Sequence, residues 1–129
     1  MTKDDGKSAQ QSNPLDLEGA LKMYRDANGD PRVEIPEDWA ALGLFLESDL
    51  QGSVAACNHL LGGLGSVADG VIESFQRTGN ACRLSLTGET AAIAPLFDET
   101  VPPCELALER LIEVVSRWCA FLQSEGAGA

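Results

Sequence analysis

The last long apolar stretch of the chain, Cys104 to Gln123 (CELALERLIEVVSRWCAFLQ), constrains the fold more than any other. Leu108, Leu111, Ile112, Val115, Trp118, Cys119 and Leu122 recur at helical spacing. The stretch therefore reads as one helix of about five turns with a continuous apolar face, which has to be buried against something. Glu105, Glu109 and Glu113 follow the same spacing on the other side and would stack as one column of carboxylates. Like charges so placed cost a few tenths of a kcal/mol per pair. The column does nothing for the helix itself, which makes it a candidate docking surface.

At 129 residues, 44% of them hydrophobic, the chain is long enough for one domain with a modest core. Residues 1–14 hold almost no large apolar side chains and are expected to form a disordered tail, with a single domain over 15–125 and a short tail over 126–129. The formal net charge is -11, from 20 acidic and 9 basic side chains. Such a surface repels phosphate backbones and anionic lipid heads and attracts basic partners, so no direct nucleic-acid or membrane binding is expected. The four cysteines form no C-x-x-C pair and the sole histidine is His59, so neither a metal site nor a cofactor is expected. With no signal-like opening and no spanning apolar run, the expected location is the cytoplasm, with reduced thiols.

Two alternating runs, Ala20–Arg25 and Arg32–Ile35, flank Asn28-Gly29 and read as a hairpin. Asp26, Asn28, Asp30 and Glu37 also fall at positions 1, 3, 5 and 12 of a calcium loop. Pro31 takes the place that loop reserves for glycine, and the hairpin is preferred. After Pro36, a helix is expected with Trp39, Leu42, Phe45 or Leu46, and Leu50 inward, and with Glu47 and Asp49 toward water. Ser53 is placed to cap a second helix, which is expected to fray at Gly62-Gly63-Leu64-Gly65. That glycine run lacks the Lys-Ser/Thr of a phosphate loop and reads as a helix terminus. His59 is expected to pack or cap.

Val71–Arg77, Ala81–Leu86 and Thr90–Ala94 alternate in the manner of strands, joined by turns at Thr78-Gly79-Asn80 and Thr87-Gly88-Glu89. Their expected core residues are Ile72, Phe75, Cys82, Leu84, Leu86 and Ile93. Pro95, Pro102 and Pro103 bracket an acidic loop, after which the final helix is expected to start. The whole reads as an α+β fold: a small, mostly antiparallel sheet of about five strands with helices on one face.

The order of elements, the Ser74-Phe75-Gln76-Arg77-Thr78-Gly79 run before a hairpin, and the Leu111–Leu122 helix with Trp118 and Phe121 resemble the small YacL-like bacterial family. The general make-up is also similar to immunity proteins of contact-dependent growth inhibition and related polymorphic toxin systems. That resemblance implies a small cytosolic inhibitor without catalytic residues or cofactor. It would act as a monomer that forms a heterodimer with the C-terminal domain of one cognate toxin. Many such toxins are nucleases with basic, phosphate-holding sites, which a carboxylate-rich face can steer toward and cover. The candidate partner-binding residues are Asp98, Glu99, Glu105, Glu109 and Glu113, with a second group at Glu37, Asp38, Glu47 and Asp49. Arg110 and Arg117 lie near Glu113 at helical spacing and partly neutralise it. Two other classes fit the same residues: an adaptor unrelated to toxins, and a small enzyme using a carboxylate pair, although no pair stands out.

Overall fold

The structure, a computed structural model, describes residues 21–128. The expected N-terminal tail lies outside these residues. Strands β1 (Lys22–Arg25) and β2 (Pro31–Glu34) pair antiparallel, Met23 opposite Val33, as a two-stranded ribbon. A 3-10 turn (Glu37–Trp39), the short helix α1 (Ala40–Leu44) and a π-helical stretch (Phe45–Leu50) follow. Next come helix α2 (Val54–Ala68), strands β3 (Ser74–Thr78), β4 (Cys82–Thr87), β5 (Thr90–Pro95) and β6 (Cys104–Ala107), and helix α3 (Leu108–Gly128). The last four strands form one antiparallel meander in chain order, β3-β4-β5-β6. The α+β class is as expected. Among the described residues the strands number six in two separate sheets, where about five in one sheet were expected.

Alternation makes the larger sheet one-sided. Cys82, Leu84 and Leu86 of β4 and Ala91 and Ile93 of β5 are buried, while Arg83 and Thr87 are exposed. Against the buried side pack Leu42, Phe45 and Leu46, then Cys57, Leu60 and Leu64 of α2, and the stripe Leu111, Val115, Trp118 and Leu122 of α3. Each such side chain withdrawn from water contributes roughly 1.5–3 kcal/mol. Trp118 is fully buried, and its indole N–H donates to the Gln51 carbonyl at 2.9 Å, tying α3 to the loop before α2.

The sixth strand corrects the reading of the opening stretch. Cys104–Ala107 pairs with β5 (Thr90↔Ala107, Ile93↔Cys104) instead of starting the helix, which begins at Leu108. Pro102 and Pro103 favour extended chain after them as readily as a helix start, and the open edge of β5 supplies the ladder bonds that decide it. The stretch thus changes state without a loop, and α3 runs on to Gly128.

Three further expectations change. Helix α2 does not fray at Gly62–Gly65 but continues to Ala68, because Leu60, Leu64 and Val67 keep burying one side of it. Gly63 has a packing reason: a Cβ there would lie 3.1 Å from the Phe75 ring. Ile72 precedes β3 and is exposed, and Phe75 is half-buried. Most consequentially, Asp49 is buried and Glu47 half-buried, where both were expected to face water. The π turn, closed by Gln51 N–H to the Leu46 carbonyl at 2.9 Å, is wider than an α turn and rotates these side chains inward.

The turns divide by what fixes them. At the first hairpin, Asp26 and Asp30 enclose Ala27-Asn28-Gly29, with Gly29 at φ +85°, the three-residue loop that needs glycine at its left-handed position. At the β4–β5 turn, Thr87 pairs with Thr90 and Gly88 takes φ +59°, as a two-residue hairpin loop with glycine first requires. Gly79, in the β3–β4 turn, has no positive φ. It is glycine because a Cβ would meet the Asp49 carboxylate at 2.4–2.5 Å.

Candidate functional site

The sequence-predicted carboxylates separate into structural and exposed groups. Asp49 accepts from the backbone N–H of Ala81 at 2.7 Å and of Cys82 at 3.3 Å, so it holds the start of β4 against the π-helix. Glu47 accepts from Val33 N–H at 2.8 Å and from Arg32 at 3.3 Å, fixing the first hairpin on the same π-helix. Both are spent on the fold. Glu37 and Asp38, at the start of the 3-10 turn, remain exposed. The second predicted face therefore does not form as a group.

The first face divides as well. Asp98 is exposed and closes its own loop, accepting from both the backbone N–H and the hydroxyl of Thr100. Those bonds, hydroxyl first, hold its carboxyl below the usual range. Glu99 is exposed beside it. Glu105 lies on β6, not on a helix. Its strand position is exposed and falls in one cross-strand row with Ala92, Ser85 and Gln76 on the helix-free side of the sheet. Glu109 sits in the first turn of α3 and is exposed. Glu113, one turn on, is ion-paired with Arg110. The stacked column is therefore absent: Glu105 belongs to the sheet, and only Glu109 and Glu113 share a helix.

What the fold brings together instead is Glu109 and Glu89. Leu108 N–H donates to the Glu89 carbonyl at 2.8 Å, joining the start of α3 to the β4–β5 turn. Glu89 and Glu109 line a cleft of about 420 Å³ together with Ala68, Gly88, Ala107 and Leu108. Asp69, exposed, follows Ala68 at the end of α2, and the exposed Val71 and Ile72 come next. One end of the molecule thus combines carboxylates with apolar side chains left in water, Val71 being 74% exposed. Glu89 was not singled out from the sequence. The Gly88-Glu89 turn was legible, but nothing local says that the end of a helix twenty residues away in sequence lies beside it.

The first hairpin shows no calcium geometry. One oxygen of Asp26 accepts from the Asn28 and Asp30 N–H groups at 2.9 and 3.0 Å, and the other from Arg32 at 3.0 Å. Arg32 and then the Asp30 N–H hold its carboxyl below the usual range. Among the described residues, no three His, Cys, Asp or Glu side chains converge as metal ligands do. His59 is exposed on α2 rather than packed. The four cysteines are free thiols. Burial raises Cys57 and Cys104 to about 11 and Cys82 to about 12, which suits inert core thiols rather than nucleophiles. No helix of the described residues is long and apolar enough to cross a membrane.

No protein-family model, no curated protein and no solved structure matches this chain.

Proposed function

We propose that this protein acts by binding another protein, using its acidic end to dock on a basic partner, and that it carries out no chemistry of its own. The specific form favoured by the sequence resemblance is an immunity protein that covers the phosphate-binding site of a nuclease-type toxin in the cytoplasm. One observation carries the binding reading. Arg32 and Arg110 are engaged with the protein's own carboxylates, whereas Glu89 and Glu109 line one open cleft at the end of the molecule. With a net charge of -11, a basic partner is drawn toward the surface from beyond contact distance.

A second reading is favoured by Val71 and Ile72, which lie exposed just beyond the cleft. Carboxylates beside apolar anchors suit an amphipathic segment that mixes basic and apolar side chains. An adaptor that holds such a segment of a client protein would present this surface.

The test is a titration against the product of the neighbouring gene, run at two salt concentrations. The expected result is a dissociation constant of about 1–100 nM with an association rate that falls as salt rises. Reversing both charges, Glu89→Lys with Glu109→Lys, should weaken binding at least tenfold while leaving the fold intact. Binding that is absent at low salt rules out that partner. Binding that ignores the two reversals moves the interface away from the cleft. A short basic-apolar peptide that binds as tightly as the whole domain would favour the adaptor.

A further inference from the structure

The four-stranded sheet has two edges, and they are guarded unequally. Strand β6 is short, follows Pro102-Pro103 and leads directly into α3, devices that keep foreign strands off an edge. Strand β3, Ser74–Thr78, has none of them: it is five residues long, contains no proline or lysine, and among the described residues pairs only with β4. Its alternation places Phe75 and Arg77 half-buried on the helix side, with Ser74, Gln76 and Thr78 exposed. The outer side of β3 therefore offers unpaired backbone donors and acceptors, and its flank carries the exposed Val71 and Ile72.

We infer that β3 pairs antiparallel with β3 of a second copy of this chain about a twofold axis at Phe75. This would join the two sheets into one of eight strands.

The choice of occupant comes from the side chains. In an antiparallel pair, directly opposite residues share a face. An axis at Phe75 brings Glu73, at the bend just before the strand, beside Arg77 of the other copy, so opposite charges meet twice, with the two phenylalanines between them. The same register sets Ser74 opposite Gln76, while Val71 and Ile72, whose N–H groups are held by the Ser66 carbonyl, lie outside the paired segment. A twofold contact has to be self-complementary in this way. Moving the axis by one residue, to Gln76, leaves Glu73 opposite Gly79 and loses both charge pairs. Among the described residues no carboxylate of its own chain pairs with Arg77. Its guanidinium lies 5.9 Å from the centre of the Phe45 ring, and its Nη1 is buried with no hydrogen-bond partner among the described residues. Glu73 is exposed.

Sedimentation of the full chain from about 5 to 100 µM tests this directly. The expected species has twice the 13.7 kDa chain mass. Glu73→Lys sets Lys opposite Arg77 and should raise the dissociation constant at least tenfold, with an unchanged circular dichroism spectrum. A spin label on Ser74→Cys should then find its counterpart within about 20 Å, since paired strands lie only about 4.8 Å apart. A single-chain mass over the whole range overturns the inference and leaves the β3 edge to a foreign strand. A dimer indifferent to Glu73→Lys, or with distant labels, overturns it by placing the contact on another face.

Discussion

Asp49 is the residue on which most of the local architecture converges. A carboxylate at 8% exposure has lost most of its water, and it remains only because the N–H groups of Ala81 and Cys82 replace that water. Asp49→Ala would strand both donors and should cost about 2–4 kcal/mol. Gly79→Ala would push a methyl into the same carboxylate and should cost about 1–3 kcal/mol. Because the two substitutions damage one contact, their costs should add to less than their sum, and urea denaturation of the double variant reads this directly. The thiols give a pH prediction. Burial raises Cys57 and Cys104 to about 11 and Cys82 to about 12, from 9.0 in the unfolded chain. Below pH 9 the thiols are neutral in both states and their contribution is fully present. Above it the unfolded chain ionises first, so stability falls as pH rises from about 9 through the folded values. A melting curve flat from pH 7 to 9 and falling steeply by pH 11 is expected. Cys57→Ala should soften that fall, and an identical alkaline fall in this variant would exclude the thiol as a cause.

At the scale of elements, the π-helix and α3 carry the most. The π turn converts two carboxylates that helical spacing would expose into the anchors of two hairpins, Glu47 for β1–β2 and Asp49 for β3–β4. Gln51 ends it at φ +52°, a conformation that side chains adopt reluctantly, and its carbonyl is held by Trp118. Trp118→Phe removes that bond together with part of the largest buried side chain. It should cost about 1–3 kcal/mol, measured as a shift in the denaturation midpoint at unchanged slope. A cost below about 0.5 kcal/mol would mean that the α3-to-loop bond contributes little. The apolar stripe of α3 was readable because helical periodicity is a local property of the sequence. The carboxylate column was misread because Glu105 lies in a short segment whose state is set by the free edge of β5.

For the whole molecule, the dominant quantity is charge. At -11 the folded chain repels itself, even with Asp26, Glu47 and Glu113 paired internally. Screening should therefore stabilise it: the melting temperature is expected to rise by a few degrees between about 20 and 500 mM salt, as calorimetry can record. A fall would mean that the ion pairs of Arg32 and Arg110 outweigh the repulsion. By itself, the sequence determined the class of fold, the meander from Ser74 to Pro95, the Ser53 cap and the buried face of α3. Each of these depends on patterns a few residues long: alternation, helical spacing, turn glycines and a capping side chain. The Ser53 hydroxyl, for example, accepts from Ala56 N–H at 3.0 Å, where its position just before an apolar run places it. Only the tertiary structure decided which carboxylates remain in water. Glu47 and Asp49 were drawn inward by backbone donors that arrive from β2 and β4, and Glu105 was turned onto the sheet by β5. Glu89 and Glu109 became neighbours through a bond between the β4–β5 turn and the first residue of α3. Those partners lie thirteen or more residues away along the chain, beyond the reach of any local pattern, and the proposed docking surface is made from what they leave exposed.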